Sequence, residues 1–170
     1  MIESPHRMWQ RIVAEIPSRH FPPGDMVSQF LTGYRAELAD FADTRRQYPL
    51  RYLEVGCRLG HSLATVMLAS GGFVRATVVD MWIEGYGDEP NPGPTAVLAH
   101  LDALGADRQH VEFFVGDSHK IIPGLRGPYD LILVDGDHTA EGAEADIRDC
   151  ARLLQKDGLM VFDDAVEPLL

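Results

Sequence analysis

The residues best suited to chemistry stand at the ends of two apolar runs. Asp135, Asp137 and His138 follow the run YDLILV, and Asp163 and Asp164 follow LMVF. Continuous apolar runs of this length read as strands buried on both faces of a parallel sheet. If the two strands are neighbours, their acids converge on one crevice. Two carboxylates about 4 Å apart repel by roughly 4 kcal/mol at an effective dielectric near 20, so such a cluster needs protons or a cation. Oxygen donors select a hard ion such as Mg²⁺ or Ca²⁺. The expected ligands are Asp135, Asp163 and Asp164. His138 is then free to act as a base, because an imidazole titrates near neutral pH and can take a proton from a hydroxyl whose acidity a metal has raised. The alternative is that these acids are solvated loop ends and His138 a surface histidine.

A second group lies in Arg51–Gly60, RYLEVGCRLG. It reads as a strand, Arg51–Val55, that runs through a glycine turn into a helix marked by Leu59, Leu63, Val66 and Met67. Gly56 and Gly60 let the backbone turn sharply and approach a ligand, and the start of the helix offers free N–H groups to a carboxylate or phosphate. The spacing is Glu-x-Gly-x-x-x-Gly, with Arg58 where a dinucleotide site has its second glycine. Glu54 would repel a pyrophosphate and welcome an ammonium group. A ligand with an amino-acid end and a nucleoside end fits, and S-adenosylmethionine is such a ligand. The alternative is a tight turn without a ligand. Asp80, ending the run FVRATVVD, is placed to accept both hydroxyls of a ribose, or else caps a loop. Asp117, after VEFFV, is placed to accept from an adenine amino group, or else serves the turn Gly116-Asp117-Ser118.

These residues need a scaffold of alternating strands and helices. Expected strands are Arg51–Val55, Phe73–Asp80, Val111–Val115, Tyr129–Val134 and Leu159–Phe162. Expected helices follow Gly60 up to Gly71–Gly72, then cover Thr95–Leu104, Ser118–Leu125 and Glu141–Gln155, the last stopped by Lys156-Asp157-Gly158. The pattern predicts a doubly wound α/β sheet with helices on both faces. Residues 1–49 read as a helical appendage to a main domain spanning 50–170. One helix is expected over Pro5–Ile16 and a second over residues 25–45, with Val27, Phe30, Leu31, Tyr34, Leu38 and Phe41 on its buried face. The appendage is expected either to pack plainly or to form a lid or dimer contact. Trp82 and Tyr86, in the Gly/Pro-rich loop Met81–Pro94, are expected to close over a ligand.

The length of 170 residues suits one such domain, and 15 basic against 26 acidic side chains give a net charge of −11. That balance argues against nucleic acid or an anionic membrane as a partner. No apolar run reaches the length of a membrane span, and the start MIESPHRMWQR lacks the apolar core of a signal peptide. Cys57 and Cys150 read as small buried residues of a reducing, cytoplasmic setting.

The chain resembles the class I S-adenosylmethionine-dependent methyltransferases over residues 51–164, through LEVGCRLG, VVD and VGDS. The run DLILVDGDHTAEGAEADIRDCARLLQKDGLMVFDDA resembles the metal-dependent small-molecule O-methyltransferases of the macrocin type, more loosely the catechol type, and their cephalosporin-hydroxylase-like relatives. The resemblance implies Mg²⁺ at Asp135, Asp163 and Asp164, His138 as base, and S-adenosylmethionine contacts at Glu54, Gly56, Gly60, Asp80, Asp117 and Ser118. Asp135, on the same rim, is counted with both groups. It implies a small-molecule acceptor such as a natural product or sugar. Alternatives on the same scaffold are a cofactor-binding module without catalysis and a metal-dependent hydroxylase- or hydrolase-type protein. Arg58 departs from a glycine often found in the first motif. The family's sheet continues past its fifth strand. Leu170 follows that strand closely here, so the C-terminal strands are expected to be missing. Either another copy of the chain is expected to cover the bare edge, or the chain is a shortened form or natural fragment.

Overall fold

The computed structural model describes residues 3–19, 21, 35–45, 48–71, 73–84 and 91–163. Five strands form one parallel sheet: β1 (Leu50–Val55), β2 (Val74–Asp80), β3 (Val111–Val115), β4 (Tyr129–Val134) and β5 (Leu154–Phe162). Their order is β3-β2-β1-β4-β5. The helices are α1 (Pro5–Glu15), α2 (Arg35–Thr44), α3 (His61–Ser70), α4 (Pro94–Leu104), α5 (Ser118–Ile121, extended by a 3₁₀ turn) and α6 (Ala140–Ala151). The chain winds outward from β1 to β3, then returns to lay β4 on the other side of β1. Loops that leave β1 and β4 therefore part in opposite directions, and the crevice between them is where an open α/β sheet binds its ligand.

Period-two alternation sorts the strand residues onto two faces. Leu50, Tyr52, Val74, Ala76, Val78, Leu131 and Leu133 pack under α1, α2, α3 and α4. Leu53, Val55, Val79, Ile132 and Val134 pack with Ile122 of the 3₁₀ turn, Cys150 of α6 and Leu153. The central strands β1 and β4 are buried on both sides for this reason. Helix α3 lies between the sheet and the two N-terminal helices, so nine of its ten residues are buried. A helix so enclosed has nowhere to expose a polar side chain. Its Thr65 and Ser70 hydroxyls donate instead to the carbonyls of His61 and Met67, at 2.8 and 2.9 Å. Gly71, at φ +72°, ends the helix.

The N-terminal helices share this core. Met8, Trp9, Ile12 and Val13 of α1 are buried, as are Leu38, Ala39 and Ala42 of α2. Residues 25–34 of the expected second helix, with Val27, Phe30, Leu31 and Tyr34, lie outside the described residues, as does Tyr86. Phe41 is only half-buried.

One expectation is corrected. The helix read as Glu141–Gln155 ends at Ala151, and the supposed stop Lys156-Asp157-Gly158 lies inside β5. Tyr129 pairs with Leu154 while Leu131 pairs with Leu159, so β5 carries extra residues at that point. An apolar Leu153-Leu154 pair suits a helix stripe and a strand start equally well, and sheet pairing decided it. Gly158 allows the irregularity: a Cβ there would lie 2.8 Å from the Asp130 carbonyl oxygen.

Candidate functional site

The glycine turn after β1 meets the end of β4 at the carboxyl rim of the sheet. Asp135 donates its N–H to the Val55 carbonyl at 2.7 Å, and Gly56 donates to the Val79 carbonyl at 2.9 Å. Gly56 has φ +83°, and a Cβ on it would lie 1.7 Å from the Asp135 carbonyl oxygen. Both the backbone angle and the contact require glycine here. Gly56→Ala is expected to cost more than about 3 kcal/mol. Urea unfolding of wild type and variant tests this, and a change under about 1 kcal/mol would contradict the packing described. Gly60, at φ +89°, caps α3 at its N-terminus without a side-chain partner. A Cβ on Gly60 would come within 2.9 Å of Val97 Cγ1, so α4 closes on the turn from behind.

Glu54 lies beneath this turn and is fully buried. Its Oε1 accepts from the Ser62 hydroxyl at 2.6 Å. Its Oε2 has no partner in hydrogen-bond alignment, although the Tyr52 and Cys57 side chains lie near enough to temper its charge. Burial dominates, with help from the Asp135 charge, and pushes the carboxyl up to about 7. A buried carboxylate with one free oxygen suits a cationic ligand group better than it suits the empty protein.

Asp80 organises the turn directly. Its Oδ2 accepts from the Cys57 and Arg58 N–H groups at 2.6 and 2.7 Å, and its Oδ1 accepts from Trp82 N–H at 2.6 Å. A carboxylate offers about four acceptor positions, so these three bonds leave it little capacity for a ribose in this conformation. Arg58 and Trp82 both have positive φ, +52° and +44°. That is uncommon for side chains of this size, and it is the conformation a glycine at position 58 would adopt freely. The bonds to Asp80 hold it here, together with the Trp82 indole N–H donating to the Arg58 carbonyl at 3.0 Å. Trp82 is 9% exposed and packs edge-on against Phe113, so it belongs to the floor of the rim.

At the end of β3, Asp117 caps α5 by accepting from His119 N–H at 3.0 Å. It also pairs with Lys120 at 2.8 Å. Lys120 and the backbone bond hold its carboxyl below the usual range. The Ser118 hydroxyl turns inward to Asp146 of α6. At the other side of the rim, β4 and β5 are paired neighbours, the condition for their terminal acids to converge. Asp163 donates its N–H to the Val134 carbonyl at 3.0 Å, which sets it beside Asp135. Asp135 is half-buried, and Asp163 and His138 are exposed. Asp164 lies outside the described residues. Among the described residues no three His, Cys, Asp or Glu side chains gather as a metal group. Backbone pairing sets Asp135 and Asp163 side by side along the rim, and Mg²⁺ commonly takes one or two carboxylates and keeps several waters.

Sequence reasoning overlooked Ser62, His119 and Asp146. Ser62 was hidden in the first turn of a helix read only for its apolar spacing. Asp146 carried a signal: it stands four residues from both Gly142 and Cys150, on the stripe of α6 that is buried. An acid on an apolar helical stripe points to an internal partner.

A family model described as a methyltransferase domain matches residues 53–165. No curated protein sequence matches the chain. Among solved structures, cofactor-bound Rv0187 from MTB superposes with a TM-score of 0.65 at 22% identity, over 94% of this chain and 65% of that one. SAH-bound methyltransferase PaMTH1 of Podospora anserina gives 0.61 at 19%, over 95% and 62%. Apo CalS11, a TDP-rhamnose 3′-O-methyltransferase of calicheamicin biosynthesis, gives 0.56 at 20%, over 99% and 82%. The chain thus spans less than two-thirds of the length of the first two.

Proposed function

The chain belongs to the methyltransferase domain family, and from that premise we propose that it transfers a methyl group from S-adenosylmethionine to a hydroxyl of a small molecule, with Mg²⁺ assisting. The observation that carries the reading is the contact of the two loops at the switch point. There the Gly56 turn, over buried Glu54, lies against Asp135, and Asp163 stands next along the rim.

The residues suit the cofactor's two ends. Glu54, with its free Oε2, would take the ammonium group, and the N-terminus of α3, which lacks a side-chain cap, would take the carboxylate. Asp80 would orient the ribose side of the site by holding the Cys57-Arg58 turn, and Asp117 would stand at the adenine side. When bound, S-adenosylmethionine supplies an electrophilic methyl group on a sulfonium. Asp135 and Asp163, joined by Asp164, would hold Mg²⁺, which supplies a Lewis acid that lowers the pKa of an acceptor hydroxyl. His138 would remove the hydroxyl proton. The protein contributes positioning and charge neutralisation.

The carboxylate-rich rim of a chain with net charge −11 favours a cation and a neutral acceptor over nucleic acid. The likeness to a TDP-rhamnose 3′-O-methyltransferase of calicheamicin biosynthesis supports a sugar or natural-product hydroxyl as acceptor. Calorimetric titration of S-adenosylhomocysteine, with and without Mg²⁺, tests the reading. Binding is expected for wild type, with the Mg²⁺ heat lost in Asp135→Ala. No S-adenosylhomocysteine binding at millimolar ligand would overturn the cofactor assignment. Binding without any Mg²⁺ heat in wild type would reduce the chain to a cofactor-holding module.

A further inference from the structure

His119 stands outside the cofactor and metal residues, yet both of its ring nitrogens face carboxylates. Nε2 lies 3.3 Å from Asp137 Oδ2, and Nδ1 lies 3.3 Å from Asp146 Oδ1. The first contact has hydrogen-bond alignment, while the second is an ion-pair approach without it. Three chain segments meet at this ring. His119 opens α5 at the end of β3, Asp137 belongs to the loop between β4 and α6, and Asp146 projects inward from α6 with no exposed surface.

We propose that His119 is a positioning residue that fastens the β4–α6 loop, carrying Asp135 and His138, to the cofactor side of the rim. The loop is tied at its start by the Asp135 N–H bond to the Val55 carbonyl, and further along by the contacts of Asp137. Residues 138–140 are exposed, and Asp135, Gly136 and Asp137 are half-buried. Segments with few buried apolar contacts open at low free-energy cost unless polar contacts secure them. Asp137 supplies the contact on the loop. Its Oδ1 accepts from Thr139 N–H at 2.8 Å, and its carboxyl packs on Gly142, where a Cβ would lie 2.1 Å from Cγ. Gly136 packs on the other anchor, since a Cβ there would lie 3.0 Å from Asp146 Oδ2. A doubly donating imidazolium can serve both acids at once, and a neutral ring can donate to only one. Asp146 needs such a partner, because a buried carboxylate without a counter-charge is costly. The His119 backbone N–H is held by Asp117 Oδ1 at 3.0 Å. A single residue therefore links the segment assigned to adenine with the segment assigned to the metal and base. Displacing a reacting group by about 1 Å can cost on the order of 100-fold in rate, which is the cost this fastening would avert.

The kinetic consequence rests on the methyl-transfer reading, but the fastening does not. Hydrogen exchange on the full chain separates the two. In His119→Ala the amides of Gly136–Thr139 are expected to exchange at least about tenfold faster, with β1 and α3 within about twofold of wild type. Asp137→Asn leaves the buried Asp146 contact in place and keeps an acceptor for Thr139, so it folds readily, and it is expected to speed the same amides. His119→Gln, which retains one donor, is expected to fall between wild type and alanine. In methyl-transfer assays His119→Ala is expected to lose at least about tenfold in kcat while S-adenosylhomocysteine affinity stays within about threefold. Unchanged loop exchange in both His119→Ala and Asp137→Asn would overturn the proposal, as would equal loss of protection across the whole sheet. Faster loop exchange in a protein whose wild type methylates no acceptor would uphold the fastening and sink the methyl-transfer reading instead.

Discussion

Glu54→Gln is expected to stabilise the ligand-free protein at pH 8 and to weaken its hold on S-adenosylhomocysteine. The Glu54 carboxyl is raised from 4.5 to about 7 by burial. The folded state therefore binds this proton more tightly than the unfolded state does. The stability associated with it is fully present below pH 4.5 and is lost as the pH rises through about 7. That interval corresponds to about 3 kcal/mol when the group is fully charged. Glutamine never takes the charge, so melting temperatures of wild type and variant should coincide near pH 4 and draw apart between about pH 4.5 and 7. For a domain of this size the gap at pH 8 is expected to be about 6 to 12 °C. The same substitution removes the carboxylate offered to an ammonium group, and S-adenosylhomocysteine affinity is expected to fall at least about tenfold. Binding should also release protons from wild type near pH 6.5, because a bound cation lowers the Glu54 pKa. Calorimetry in buffers of different ionisation enthalpy measures that release. Parallel melting curves for the two proteins from pH 4 to 8 would refute the burial argument.

His138→Ala is expected to leave S-adenosylhomocysteine affinity within about threefold and to lower the rate of methyl transfer by about 100- to 10,000-fold, the usual worth of a general base. Affinity should survive because His138 is an exposed residue of the β4–α6 loop, whereas the residues proposed for the cofactor stand at the ends of β1, β2 and β3. The loss should be smaller at high pH, where solvent hydroxide can remove the proton that His138 otherwise takes. Single-turnover assays from pH 6 to 9 with Mg²⁺ saturating distinguish this from a folding defect. A variant that retained near wild-type turnover would overturn the assignment of His138 as base.

The rim positions of the candidate residues were legible in the chain because strand ends are easy to read. A continuous apolar run such as Leu131–Val134 must be buried on both faces, and whatever follows it must emerge at the sheet's rim. Asp80, Asp117, Asp135 and Asp163 were all found this way. The turn at Gly56 was legible for a related reason, since only glycine tolerates the angle and the approach of another backbone. Helix ends were less secure. Leu153-Leu154 satisfies two periodicities at once, and the choice between them depended on whether Tyr129 was free to pair with Leu154.

From composition and order alone one could deduce the alternating architecture, the crevice at the carboxyl ends of the strands, and which acids reach it. Those follow from local patterning, because burial of a strand is written in its own residues. What the acids do once there was decided by residues distant in the chain. Asp80 is occupied by three backbone N–H groups, two of them more than twenty residues away. Glu54 is turned into a group titrating near neutrality by the packing of α3 above it, and His119 finds Asp146 only because α5 and α6 lie side by side on one face. A side chain's charge state and partners depend on the local dielectric and on geometry to within an ångström. Both are properties of the packed whole and of no single stretch.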